Sequence, residues 1–133
     1  MTPLSLSKSS PAEINAAVAE YCAGAYLAVP HDTCATVYWD EEDEYNYESE
    51  ICPDYLHDAN AVLPLLEKTG YDAIDLFREM RGNKMAWGCQ LYDWDAEGED
   101  LDSTKPMVHG TGPTFCLAAI AALLRAAGVK VEE

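Results

Sequence analysis

Apolar positions recur at helical spacing in some stretches of this chain and alternate at strand spacing in others. Ile14, Ala17, Val18, Tyr21, Cys22 and Ala25 form one stripe at i, i+3, i+4 spacing. Ahead of them Ser10-Pro11-Ala12-Glu13 supplies a capping box with proline at the first helical position. This predicts an amphipathic helix over 11–24, its alanine-rich stripe permitting close approach. Ala35-Thr36-Val37-Tyr38-Trp39 is β-branched and aromatic and predicts a short strand. Tyr45, Tyr47 and Ser49 then alternate with Asn46, Glu48 and Glu50. That fits a strand returning after a turn at 40–44, and fits a plain loop equally well; Pro53 ends either.

From Asp58, as cap, a second helix is expected, with Val62, Leu65 and Leu66 as its apolar face, Lys68 in its last turn and Gly70 after it. Pro64 should kink or delay it. Residues 71–80 are ambiguous: Ile74, Phe77 and Met80 fit a helix stripe, Ile74, Leu76 and Met80 one face of a strand. The turn Arg81-Gly82-Asn83-Lys84 tips the balance to a hairpin, because Met85, Trp87, Cys89 and Leu91 alternate cleanly after it. A closing helix is predicted from Pro113 to Ala127, capped by Thr111 or Gly112 and ended by Gly128. Its only polar side chains are Thr114 and Arg125. A helix apolar on nearly every side is covered on more than one side, by a sheet and a further layer or in a subunit interface such as a homodimer's.

The order α-β-(β)-α-β-β-α is that of an α+β domain over 11–129, with a polar tail at 1–10 and a short tail at 130–133. The segments "INAAVAEYCAG", "PDYLHDANAVLPLLEK", "MAWGCQLYDW" and "GPTFCLAAIAALLRAAG" resemble the phage ABA-sandwich domain family, small proteins carried by phages and prophages. The resemblance covers roughly residues 11–127. It implies a three-layer helix/sheet/helix sandwich around a small antiparallel sheet. It implies no established activity and no catalytic residue, and the acidic stretch 40–50 is an insert relative to that pattern.

Charge alters this picture more than any motif. The chain has 133 residues, 24 acids against 8 lysines and arginines, and a net charge of −16. Such a surface excludes direct nucleic-acid binding and attachment to anionic membrane, both of which need a basic face. It suits a basic partner; it also suits halophilic adaptation or plain solubility. The five cysteines are odd in number and form no C-x-x-C pair, so neither a disulfide framework nor a zinc site is expected. Cys22, Cys89 and Cys116 fall within apolar patterns, as packed free cysteines do. With no apolar leader at its start and no apolar run near ~20 residues, the chain reads as a cytoplasmic protein.

Candidate chemistry is sparse. Asp93, Asp95, Glu97 and Gly98 begin like a calcium loop, but Thr104 stands where the bidentate glutamate belongs and Asp100 where a hydrophobe belongs. His31, His57 and His109 lack ligand spacing, and the pair His31 and Cys34 has no orienting context. No triad, dyad or cofactor signature appears, so no enzyme, metal or cofactor is expected. Gly110, Thr111, Gly112 and Thr114, read as a helix start, offer an alternative site for a nucleotide or other small anion; Pro113 removes one amide from it.

The remaining candidates are two acidic stretches. Asp40, Glu41, Glu42, Asp43, Glu44, Glu48 and Glu50 are seven acids in eleven residues, interleaved with Tyr45 and Tyr47. Asp93, Asp95, Glu97, Glu99, Asp100 and Asp102 follow, around Trp94. Fully extended, the first carries about one charge per 5 Å, too dilute beside the ~1.7 Å of duplex DNA. Together on one edge the two reach roughly one per 2.7 Å, near the ~3.4 Å of a single strand. With the phage resemblance, this points to an inhibitor that mimics nucleic acid and binds a host defence protein of CRISPR or restriction type in the host cytoplasm. A structural phage protein whose acidity serves only solubility is the other outcome.

Overall fold

A computed structural model of the chain describes residues 3–93 and 107–133. Strand β1 (Leu4–Ser5) precedes helix α1 (Pro11–Tyr21), strands β2 (Leu27–Pro30) and β3 (Ala35–Tyr38), and a five-residue helix α2 (Glu41–Tyr45). Strand β4 (Glu50–Ile51), helix α3 (Ala59–Lys68) and strands β5 (Ala73–Arg81), β6 (Lys84–Tyr92) and β7 (Val108–Gly112) follow. Helix α4 (Phe115–Ala126) and strand β8 (Val131–Glu132) complete the order. The strands form two antiparallel three-stranded sheets, β2-β3-β4 and β5-β6-β7, and one parallel pair, β1-β8.

Local chemistry accounts for most boundaries. Ser10 and Glu13 form the expected capping box of α1, but the helix ends at Tyr21, short of the expected 24; Gly24, at φ 83°, lies in the turn before β2. Asp58 caps α3, which runs through exposed Pro64 as one helix and ends before Gly70 at φ 80°. The β5-β6 hairpin forms in full register from Ala73↔Tyr92 to Arg81↔Lys84, so the ambiguous stretch 71–80 is strand from Ala73 on, with Tyr71 and Asp72 leading into it. Its two-residue loop starts with Gly82 at φ 62°, the sign a tight hairpin turn needs at that position.

Helix α4 is the centre of the molecule. Ala118 to Leu124 are all at most 2% exposed. One side packs on β7 and β6, another on α3 and α1, while α1 also covers β2 and β3. The sequence expectation that this helix is covered on more than one side holds. Of the expected three-layer sandwich, the structure has the α+β composition and the antiparallel pairing, divided among separate small sheets.

Four expectations are corrected. The expected tail at 1–10 contributes β1 and buried Leu6, and the expected tail at 130–133 contributes β8, because these segments pair with each other. The alternation at 45–50 forms neither a full strand nor a plain loop: it is the end of α2, a turn and the two-residue β4. Gly110 to Gly112 do not start a helix. They are β7, and Thr114 caps α4 by accepting from the Leu117 N–H at 3.2 Å. The glycines serve close approach, since a Cβ on Gly110 would stand 2.3 Å from the Ala118 carbonyl oxygen and 2.4 Å from the Ala122 nitrogen.

Candidate functional site

The acidic stretch 40–50 is the connection between the neighbouring strands β3 and β4, and it folds on its own local signals. Asp40 accepts from the Asp43 N–H at 3.0 Å, and Asp43 accepts from the Asp40 N–H at 3.3 Å, a reciprocal capping box. Four acids in the first turn complement the positive end of the helix. At the other end the Glu48 N–H donates to the Asp43 carbonyl at 2.8 Å and the Tyr47 N–H to the Glu44 carbonyl at 3.2 Å, a Schellman closure. The indole of Trp39 donates to Glu50 at 2.8 Å and closes the base of the connection.

These bonds sort the acids. Asp40 and Asp43 hold the helix, and Glu50 holds Trp39. Among the described residues, the side chains of Glu41, Glu42, Glu44 and Glu48 carry no hydrogen bond or ion pair, and all four are exposed. Helix formation also compresses the charge: at 1.5 Å rise per residue, the five acids 40–44 span about 6 Å along the axis. The extended-chain spacing of about 5 Å per charge is therefore replaced, over this turn, by a spacing near that of a nucleic acid backbone.

Three large apolar side chains stand out of this acidic surface: Tyr45 is 84% exposed, Tyr47 89% and Ile51 78%. Tyr47 is also the one non-glycine residue with positive φ among the described residues, at 59°. It occupies the position of a Schellman closure that glycine or asparagine fills without strain. An aromatic residue there costs backbone energy of about 1 kcal/mol, and its exposed ring returns none of it by packing. The sequence pattern singled out Tyr45 and Tyr47; it missed Ile51 and Trp39, whose roles follow from the β3-β4 pairing. The Asp40-x-x-Asp43 box was the available signal for α2.

Of the second acidic stretch, Asp93 follows β6 and accepts from the Asp72 N–H at 3.0 Å. Trp94, Asp95, Glu97, Glu99, Asp100 and Asp102 lie outside the described residues, as does the rest of the calcium-like loop. The alternative anion residues are engaged elsewhere: Thr111 bonds the Glu133 carboxylate through both its N–H and its hydroxyl, and Gly110 and Gly112 lie under α4. His31 sits at the β2-β3 turn 2.8 Å from the Thr36 hydroxyl, so its imidazole is bonded to Thr36 rather than to Cys34. Burial pushes the Cys22 and Cys89 thiols up to about 12 and Cys52 to about 11, which keeps them protonated and unreactive at neutral pH.

One polar cluster ties the segment between β4 and α3 to α1. Buried Asn15 donates to Asp54 at 3.0 Å and accepts from the Leu56 N–H at 3.0 Å, and His57 lies 3.0 Å from Asp54. Burial acts to raise the Asp54 pKa, but the hydrogen bonds from Asn15 and His57 and the His57 charge together outweigh it and hold the carboxyl below its usual range. A depressed carboxyl stabilises the fold above its unfolded pKa, about 3.9, and that contribution is lost as pH falls through the lower folded value. Asn15→Ala should therefore lower stability at pH 7, by about 1–3 kcal/mol for the orphaned Leu56 N–H and lost bond. It should also shrink the acid-dependent loss below about pH 4, which urea midpoints at pH 7 and pH 3 will show.

No helix of the described residues is long and apolar enough to cross a membrane. No family model, curated protein or solved structure matches the chain.

Proposed function

We propose that this is a non-enzymatic binding protein that presents α2 and the turn after it to a basic surface of a partner protein. The observation that carries the reading is Tyr47: a strained, 89% exposed aromatic among unpaired carboxylates, its ring adding no packing to the turn that its backbone helps to close. Aromatic anchors amid complementary charge are what interface centres use. The compressed carboxylates of α2 favour a partner groove that otherwise holds a nucleic acid backbone, which makes the protein an inhibitor by mimicry. The phage-family resemblance makes a host defence protein of CRISPR or restriction type the natural target, met in the host cytoplasm.

Tyr47→Gly separates this reading from a purely structural one. Relief of the left-handed strain, less the entropy of glycine, should raise stability by about 0.5–1 kcal/mol. The same substitution should weaken capture of a basic partner from host lysate at least about tenfold, as loss of an interface anchor does. Capture in low salt that disappears in high salt completes the expected pattern. Partners that are neutral or acidic, or capture unaffected by Tyr47→Gly, would refute the reading.

A further inference from the structure

The Glu133 carboxylate lies in a receptor built from two other elements. The Thr111 N–H donates to Glu133 Oε2 at 3.0 Å and the Thr111 hydroxyl donates to Oε1. Arg125 Nη1 donates to Oε2 at 2.5 Å. The guanidinium is itself aimed by bonds to the His109 carbonyl at 2.7 Å and the Val131 carbonyl at 2.9 Å. Thr111 is 3% exposed and lies on β7, the edge strand of its sheet, so its N–H needs an acceptor from outside the ladder. If Glu133 withdraws, a buried N–H, a buried hydroxyl and an oriented guanidinium lose their acceptor together, a costly state that another carboxylate relieves.

Beside this receptor is a cavity of about 130 Å³ whose exposed wall is mostly apolar, formed by Leu6, Ser7, Gly112, Pro113 and Leu117 with Thr111 and Glu133 at its polar end. An ion pair that only latched two elements together has no need of such a space. We infer that Thr111 and Arg125 form a binding site for a small aliphatic monocarboxylate, which Glu133 occupies in cis. The head group meets the donors that Glu133 now holds, and the short aliphatic body fills the cavity. Entry of the ligand displaces Glu133, the residue directly after β8, and removes one of the two bonds by which Arg125 holds that end of the chain, the Val131 carbonyl being the other. The site is separate from the acidic edge, and the inference stands whether or not that edge binds a partner.

Glu133→Ala tests it by chemical rescue. The variant should melt below the unaltered protein, and sodium butyrate at tens of millimolar should restore several degrees in a saturable manner. Acetate should need roughly fifteenfold more, at about fourfold for each of the two methylenes no longer buried. Neutral butyramide, and sodium chloride at matched ionic strength, should restore nothing. Adding Thr111→Val, which removes the hydroxyl and leaves the backbone N–H at 111 and Arg125 in place, should raise the butyrate needed about tenfold, and the unaltered protein should respond only at far higher butyrate, because the tethered carboxylate competes. Equal responses to butyrate, butyramide and chloride would overturn the inference, as would a double variant whose response to butyrate is undiminished. If Glu133→Ala does not fold alone, folding in butyrate but not in butyramide supports the site, and failure in both overturns it.

Discussion

Gly110→Ala is expected to cost at least about 3 kcal/mol, the upper end of what overpacking does and a large part of a small domain's stability. The added Cβ would meet the Ala118 carbonyl oxygen at 2.3 Å, the Ala122 nitrogen at 2.4 Å and the Ala121 Cβ at 2.8 Å. Two of those three atoms are backbone of a helix buried on several sides, so no rotamer change relieves them. The sheet and α4 must separate along β7, exposing the best-packed part of the core. Urea unfolding should show the midpoint falling by about 1–2 M. Ala121→Gly in the same chain should fail to rescue it, because only one of the three clashes is removed. Gly112→Ala should be milder, its nearest obstacle being the Leu117 Cβ at 2.8 Å. A midpoint for Gly110→Ala close to that of the unaltered protein would mean that α4 does not lie this close to β7.

Replacing Glu41, Glu42 and Glu44 by lysine should reduce partner affinity at least about a hundredfold, since three attractive contacts become repulsive and the encounter loses its steering. Binding alone should suffer. Lysines in the first turn oppose the helix dipole, at about 0.3–1 kcal/mol each. Against this, the variant lowers a net charge of −16 and makes the 40/44 and 44/48 pairs opposite in sign, each worth about 0.2–0.5 kcal/mol, while the 41/44 pair stays like-charged. These terms partly offset, and the main supports of α2, the Asp40–Asp43 box and the Trp39–Glu50 bond, are untouched. Unfolding curves for the variant and its glutamine counterpart should therefore lie close to that of the unaltered chain. A variant that folds normally and still captures the same basic partner would show that α2 is not the contact surface.

Helices, the long hairpin and the buried character of α4 were legible in the chain because each rests on short-range chemistry. Ser10, Asp58 and Gly128 mark their helices by capping rules that need no knowledge of the rest of the fold. The β5-β6 hairpin announces itself through alternation on both sides of a glycine turn. Even α2 had its signal in Asp40 and Asp43, masked by an apolar-polar alternation over Tyr45 to Glu50 that fits a strand equally well. The expected candidates Tyr45 and Tyr47 are indeed exposed beside unpaired acids.

What the sequence alone determined, then, is the α+β composition, most of the helix positions and the acidity of the chain. Tertiary structure decided three other matters. Leu4–Ser5 and Val131–Glu132 become strands only because each supplies the other's hydrogen bonds, across nearly the whole chain length. Gly110 and Gly112 read as a helix start until α4 folds back on β7, when close approach rather than capping explains them. Glu133 looked like a solvated tail residue, yet it is the acceptor that Thr111 and Arg125 share. In each case the deciding partner is remote in sequence or comes from another element, and a pattern of period 2 or 3.6 carries no record of contacts made at that range.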